Sequence, residues 1–140
     1  MVSIYLIVLL SGYVASGVAK FVIRAIRARK IFPLEFGMGG MPSTHVTVVT
    51  SVGYTVAQID GYDSSSFGVC LALLVIVSID AIDLRKKIEI HAQLLKSLLP
   101  NSNIRLRLGH TKWEVFAGML LGCIISEFVL TILNMANVEY

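Results

Sequence analysis

Four long stretches of the chain are almost free of charge, and this pattern restricts the fold more than any other feature. Residues 2–19, 46–59 and 64–79 contain no charged side chain, and residues 115–138 contain only Glu127. A helix that crosses a bilayer needs roughly 17–25 apolar residues; the first and last runs provide this, and the middle two do so only with their polar ends. Hydrophobic residues make up 56% of the 140 residues, more than a typical soluble domain contains. The sequence therefore predicts a membrane protein, with a soluble bundle of buried helices as the alternative.

The fold class that follows is an all-α polytopic membrane bundle of about four transmembrane helices, forming a single domain over residues 1–140. Between the third and fourth runs, apolar residues recur at helical spacing, and the charged residues lie largely off that stripe. This pattern indicates an amphipathic helix at the cytoplasmic interface. Its apolar positions are Leu84, Ile88, Ala92, Leu95 and Leu99. A bundle of four helices is thin, so a homodimer is compatible with the sequence.

The basic residues fall on one side of such a bundle if its helices alternate in direction. All 12 Lys and Arg then lie where helices 1 and 3 end and helices 2 and 4 begin, whereas the other side carries Asp60, Asp63 and Glu139. The positive-inside rule assigns the basic side to the cytoplasm. We therefore expect a multi-pass protein of the cell (inner) membrane with both termini outside. The basic face suits anionic membrane lipids, and no nucleic-acid partner is expected.

The segment MPSTH, residues 41–45, leads into the second apolar run. Ser43 is well placed to cap helix 2, whose first-turn N–H groups lack acceptors and carry the positive end of the helix dipole. A phosphate fits such a helix start, and Gly39 and Gly40 would let the backbone approach it closely. His45, in the first turn, can exchange a proton with a bound phosphoester. The alternative is a plain N-cap followed by an interfacial histidine.

The segment GHTKWEV, residues 109–115, repeats this arrangement in front of the last run. His110 and Glu114 are four residues apart, a spacing that places two side chains on one face of a helix. The carboxylate of Glu114 could then orient the imidazole and leave its other nitrogen as a nucleophile. The alternative is structural, because Thr111 and Glu114 also fit a capping box.

Two further cations are expected beside these helix starts. Lys20 ends the first apolar run, and Arg85 follows the third by a few residues. Both would face the same side as His45 and His110, although snorkelling to the interface would equally explain them. Asp80 is expected to pair with a basic residue rather than to bind metal.

These strings resemble a known family. Residues 42–45, PSTH, are similar to the Pro-Ser-Gly/Ser-His motif of the type 2 phosphatidic acid phosphatase superfamily, which includes vanadium haloperoxidases. Residues 110–118 are similar to its His-x-x-x-Asp segment, and Lys20 matches the lysine of its first motif. GGMPSTH, SIDAIDLRKK and LGHTKWEVFAGMLLG, in this order, resemble the divergent four-helix branch related to acid phosphatases and vanadium-dependent haloperoxidases. The resemblance covers about residues 15–125.

The chain departs from the superfamily pattern at three places. The arginine that stands six residues before the nucleophilic histidine is replaced by Ile104. Arg85 is the candidate substitute, with Arg105 and Arg107 as rivals. The usual aspartate is Glu114, and the Arg-Pro pair of the first motif is missing, since Arg27 is followed by alanine.

The resemblance implies a membrane-embedded phosphatase that needs no metal and no cofactor. It implies that His110 attacks phosphorus and that Glu114 orients His110. It also implies that His45 protonates the leaving oxygen and then activates water for hydrolysis. The residues expected to hold the phosphate are Lys20, Ser43, Thr44 and Arg85. A lipid phosphate is the expected substrate, because the site would open near the headgroups. The alternatives are a non-catalytic scaffold or regulator that binds phosphorylated headgroups, and a small transporter subunit.

Overall fold

The chain folds into helices joined by short connections. The computed structural model describes residues 3–29, 40–104, 106 and 108–136, without the side chains of Arg27 and Ala28. The helices are α1 (Ile4–Ala28), α2 (Thr44–Ile59), α3 (Ser65–Ile79), α4 (Arg85–Leu98) and α5 (Lys112–Met135). A π-helical segment, Asp80–Leu84, joins α3 to α4. No strand occurs among the described residues, and the all-α prediction is confirmed.

Helices α2 and α5 lie side by side and run in the same direction. At their starts, the Ser43 N–H donates to the Glu114 carbonyl over 3.0 Å, and further along Thr55 Oγ1 lies 2.6 Å from Ser126 Oγ. Helix α1 runs the opposite way, because the hydroxyl of Tyr5 near its start donates to Asp60 at the end of α2. The two predicted motifs therefore lie at the same end of the bundle.

Small residues allow α2 and α5 to approach closely. A Cβ atom on Gly122 would lie 2.7 Å from the Thr47 carbonyl oxygen, and one on Gly118 would lie 2.8 Å from the Ser43 carbonyl oxygen. The threonine hydroxyls of α2 bond back along their own helix, as Thr47 Oγ1 does to the Ser43 carbonyl. Helix packing thus accounts for the small residues of α5, and local hydrogen bonding accounts for α2 threonines such as Thr47.

Three of the helical stretches are long and apolar enough to cross a membrane: Ile4–Ile26, Ser65–Leu98 and Lys112–Met135. Helix α2 is not among them, because its 16 residues rise only about 24 Å at about 1.5 Å each. It contacts α1, α3 and α5 and contains eight buried residues, whereas α3 has none. The exposed apolar side chains of α3 are those expected of a helix that faces lipid.

The structure corrects two details of the sequence prediction. Helix α1 continues to Ala28, so Lys20 lies inside it rather than at its end. Helix α4 is continuous with α3, since residues 79–85 contain no Gly or Pro to end the helix. Four of the five residues of the predicted apolar stripe are exposed, Ile88 and Leu95 being 45% and 50% accessible, whereas Ala92 is buried together with Glu89. The interfacial position of α4 remains a prediction.

The close contact between α2 and α5 leads to a stability prediction. Gly122→Leu should lower the unfolding midpoint in detergent, because its side chain would overlap the α2 backbone; overpacking of this kind costs about 1–3 kcal/mol or more. Gly68→Leu is the matched control, since a Cβ atom on this α3 glycine meets nothing within 4 Å. Equal midpoints for the two variants would contradict the packing described here.

Candidate functional site

Ser43 lies at the start of α2 and is fully buried. Its backbone N–H donates to the Glu114 carbonyl and its own carbonyl accepts from Thr47, but its hydroxyl caps no helical N–H. The Ser43 Oγ has no hydrogen-bond partner within the described part of the chain. Buried hydroxyls are nearly always paired, so this one is available to a ligand. The plain N-cap anticipated as the alternative is therefore not formed by the side chain.

His110 precedes α5, whose N-cap is Thr111. The residue is 4% exposed, and among the described residues neither ring nitrogen finds a hydrogen-bond partner. Its backbone N–H donates to the Ala81 carbonyl, 2.9 Å away in the π-helical segment. An imidazole held in this way keeps a nitrogen lone pair that no group in the described part of the chain uses.

Burial is the main reason that the pKa of His110 falls to about 4, well below its ordinary value. The negative charge of Glu114 opposes this decrease in pKa, whereas the positive charges of Lys20 and Arg85, and also His45, add to it. One acidic residue, two cations and the second histidine, namely Glu114, Lys20, Arg85 and His45, thus act electrostatically on one imidazole. At neutral pH the His110 ring is uncharged, which is the form that a nucleophile requires.

Glu114 forms the capping box that was the structural alternative. The Thr111 N–H donates to Glu114 Oε2 over 3.0 Å, and the Glu114 N–H donates to Thr111 Oγ1 over 3.2 Å. The four-residue spacing had suggested that His110 and Glu114 share a helical face. They do not, because His110 lies before the N-cap, outside the helix. Glu114 is 6% exposed and acts on His110 through its charge.

The two predicted cations occupy different environments. Lys20 is 3% exposed, which excludes snorkelling, and its charge acts on Glu114 as well as on His110. Arg85 is partly buried at the start of α4, where its Nε lies 2.5 Å from Asp80 Oδ2. The expected pairing of Asp80 with a basic residue is confirmed. This ion pair fixes the guanidinium at the side of the π-helical segment.

The remaining predicted residues lie around the same helix starts or outside the described residues. His45 is exposed in the first turn of α2, next to the half-buried Thr44. Gly40 has a φ of +85°, a conformation that favours glycine. The side chain of Arg27, and all of Gly39, Arg105 and Arg107, lie outside the described residues, so Arg105 and Arg107 remain untested as rivals of Arg85.

Sequence reasoning missed Glu89, which is 7% exposed on α4. Its Oε2 accepts from the N–H groups of Leu108 and Gly109, each over 3.1 Å. Glu89 and His110 also line a cavity of about 320 Å³ together with Lys86 and Lys112. The available signal was its three-residue spacing from Ala92, which places both on one helical face. Ala92, however, also belongs to the longer apolar stripe, and that stripe determined the prediction for this helix.

Comparison with known proteins agrees with the motifs. A family profile described as the Divergent PAP2 family, where PAP2 stands for type 2 phosphatidic acid phosphatase, matches residues 2–125. The chain is also 30% identical to the uncharacterized membrane protein YuiD of Bacillus subtilis (strain 168), over 84% of this chain and 87% of that protein. No solved structure matches the chain. The match over residues 2–125 contains both histidine motifs, Lys20 and Arg85, and the chain therefore belongs to the Divergent PAP2 family.

Proposed function

We propose that this membrane protein is a metal-independent phosphoric monoester hydrolase that acts through a phosphohistidine. The observation that carries the proposal is the group of buried polar atoms at the starts of α2 and α5. Both ring nitrogens of His110 and the hydroxyl of Ser43 lack partners among the described residues, and the buried Lys20 lies within electrostatic range of that imidazole. Such groups cost free energy when they are left unsatisfied, and an anionic phosphate would satisfy them.

In the proposed reaction, a neutral ring nitrogen of His110 attacks phosphorus while the bond from phosphorus to the ester oxygen breaks. His45 gives its proton to the leaving oxygen and then takes one from the water that cleaves the phosphohistidine. The negative charge of Glu114 stabilises the positive charge that develops on the His110 ring. The phosphohistidine is then hydrolysed, releasing inorganic phosphate and restoring His110.

The phosphate oxygens would be held by positive charge and by hydrogen-bond donors. Lys20 and Arg85 supply the charges, and the Ser43 hydroxyl and the first-turn N–H groups from Thr44 onward supply donors. Electrostatic stabilisation of this kind is the main source of catalysis in phosphoryl transfer. Arg85 would take the role of the arginine that Ile104 replaces.

A lipid phosphate in the cytoplasmic leaflet is the proposed substrate. Helices α2 and α5 begin at the end of the bundle that carries the basic residues, which the positive-inside rule assigns to the cytoplasm. The apolar faces of the neighbouring helices leave room for acyl or prenyl chains. Burial of such a chain contributes about 0.8 kcal/mol per CH₂, which favours long-chain substrates.

A second candidate function is supported by Glu114. Its carboxylate is engaged in the capping box with Thr111, and the arginine of the superfamily's third motif is missing. A protein with these features would bind a phosphorylated headgroup without cleaving it and act as a scaffold or regulator. Turnover by the purified protein distinguishes the two functions.

Phosphate release from lipid phosphates in detergent tests the catalytic proposal. His110→Ala should abolish release because it removes the nucleophile, and His45→Ala should slow it by roughly 10²–10⁴-fold because it removes a general acid–base. His91→Ala, at an exposed position on α4, is the control and should keep full activity. Vanadate should inhibit as a mimic of five-coordinate phosphorus. Full activity of His110→Ala would refute the phosphohistidine, and headgroup binding without release would favour the scaffold.

Cysteine labelling in intact cells tests the proposed orientation. With Cys70 and Cys123 replaced by alanine, Asp63→Cys should react with a membrane-impermeant thiol reagent added outside. Lys87→Cys should react only after the cells are opened, because the basic end of the bundle faces the cytoplasm. The reverse pattern would place the site outside.

A further inference from the structure

Three backbone N–H groups attach residues 108–110 to the long helix formed by α3 and α4. The N–H groups of Leu108 and Gly109 donate to Glu89 Oε2, and the N–H of His110 donates to the Ala81 carbonyl. Consecutive residues that are all held by one neighbouring helix have little freedom to shift. The position of the His110 ring therefore depends on the hydrogen-bond acceptors that α4 and the π-helical segment provide, namely the Glu89 carboxylate and the Ala81 carbonyl.

Gly109 fits closely against α4. A Cβ atom at this position would lie 3.0 Å from the Lys86 Cα and 3.1 Å from the Lys86 nitrogen. Both are backbone atoms, so the contact cannot be relieved by rotating a side chain. A side chain at this position would require the segment or the helix backbone to move by a few tenths of an ångström, so glycine suits the close contact.

Glu89 is the one group in this contact whose burial is costly on its own. A carboxylate transferred from water loses a large hydration energy unless it is paired and hydrogen-bonded. Glu89 recovers it through the two amide donors and through Lys86 Nζ, 2.5 Å from Oε1. The side chain of Lys86 remains 55% exposed, whereas that of Glu89 is 9% exposed. The buried part of this contact is therefore the Glu89 carboxylate with the segment before His110.

We propose that Glu89 is a positioning residue whose carboxylate fixes residues 108 and 109, so that the His110 ring is held buried beside Glu114 and Lys20. Glu89 lines the same cavity as His110, and its hydrogen bonds to the preceding backbone are the route by which it positions the ring. Its catalytic consequence rests on the proposed function, whereas its structural consequence does not.

Hydrogen exchange in the unmodified, full-length protein gives a first test. The amides of Leu108 and Gly109 lie in a non-helical segment, where exchange is usually fast, but their bonds to a buried carboxylate should protect them. We expect exchange slowed at least 100-fold relative to the amides of Asn101 and Asn103 in the same connection. Exchange at the rate of those two amides would overturn the proposal.

Replacement of the carboxylate gives a second test, read by the NMR titration of the His110 ring in detergent. Burial lowers the pKa of this ring to about 4, and the pKa should rise toward its ordinary value in Glu89→Ala as water reaches the imidazole. Glu89→Gln keeps an acceptor oxygen and should give a smaller shift. Asp83→Asn, which removes the exposed Asp83–Lys87 ion pair nearby, is the matched control and should leave the titration unchanged.

A folded Glu89→Ala protein with an unchanged His110 titration would overturn the proposal. If Glu89→Ala does not fold, Glu89→Gln and the exchange measurement decide in its place. An unchanged His110 pKa in Glu89→Gln, together with unprotected amides at Leu108 and Gly109, would then overturn the proposal. These readouts need no turnover, so they remain decisive even if the protein proves not to be a phosphatase. If it is one, Glu89→Ala should lower kcat on the order of 100-fold with little change in KM, and Glu89→Gln should restore part of it.

Discussion

The parallel contact of α2 and α5 is the feature on which the rest of the site depends. Two glycines bring the helix backbones together, and the Ser43 N–H reaches the Glu114 carbonyl at their starts. Parallel helices present their unsatisfied N–H groups, and the positive ends of their dipoles, at the same end of a bundle. This arrangement brings the histidine of each motif to one place, although 65 residues of sequence separate His45 from His110.

The second requirement is that several polar groups remain buried at the end of a largely apolar bundle. Three of the charged groups there have compensating contacts: Glu114 caps its own helix, Glu89 holds two backbone amides, and Arg85 pairs with Asp80. His110 and Ser43 are different, since their side-chain polar atoms lack partners among the described residues. The proposed function assigns these two side chains to substrate, together with the positive charges of Lys20 and Arg85.

Much of this arrangement follows from sequence patterns. Charge-free runs are long-range signals, and they predicted the helices, their common direction and the shared end of the two motifs. The motifs themselves predicted the family, because PSTH and GHTKWEV are each a run of contiguous residues that can be recognised in the sequence. The capping box of Thr111 and Glu114 was also recognisable, because its four residues interact locally.

The parts that could not be predicted depend on tertiary contacts. The first residue of a helix is hard to locate to within one position from sequence. His110 lies just before the N-cap, and for this reason it does not share a helical face with Glu114. The burial of Glu89 on α4 depends on hydrogen bonds from the amides of Leu108 and Gly109, which no periodicity reveals. Lys20 likewise lies inside α1 and is buried, although the sequence had placed it at the end of the helix.

The central claim is that His110 becomes covalently phosphorylated, and rapid-quench mass spectrometry tests it directly. Purified protein would be mixed with a long-chain lipid phosphate, stopped within the first turnover, digested and analysed for the peptide that contains His110. The account predicts that this peptide gains the mass of one phosphoryl group in step with alcohol release and loses it as inorganic phosphate appears. Release of phosphate from the first turnover onward with an unmodified His110 peptide would contradict it.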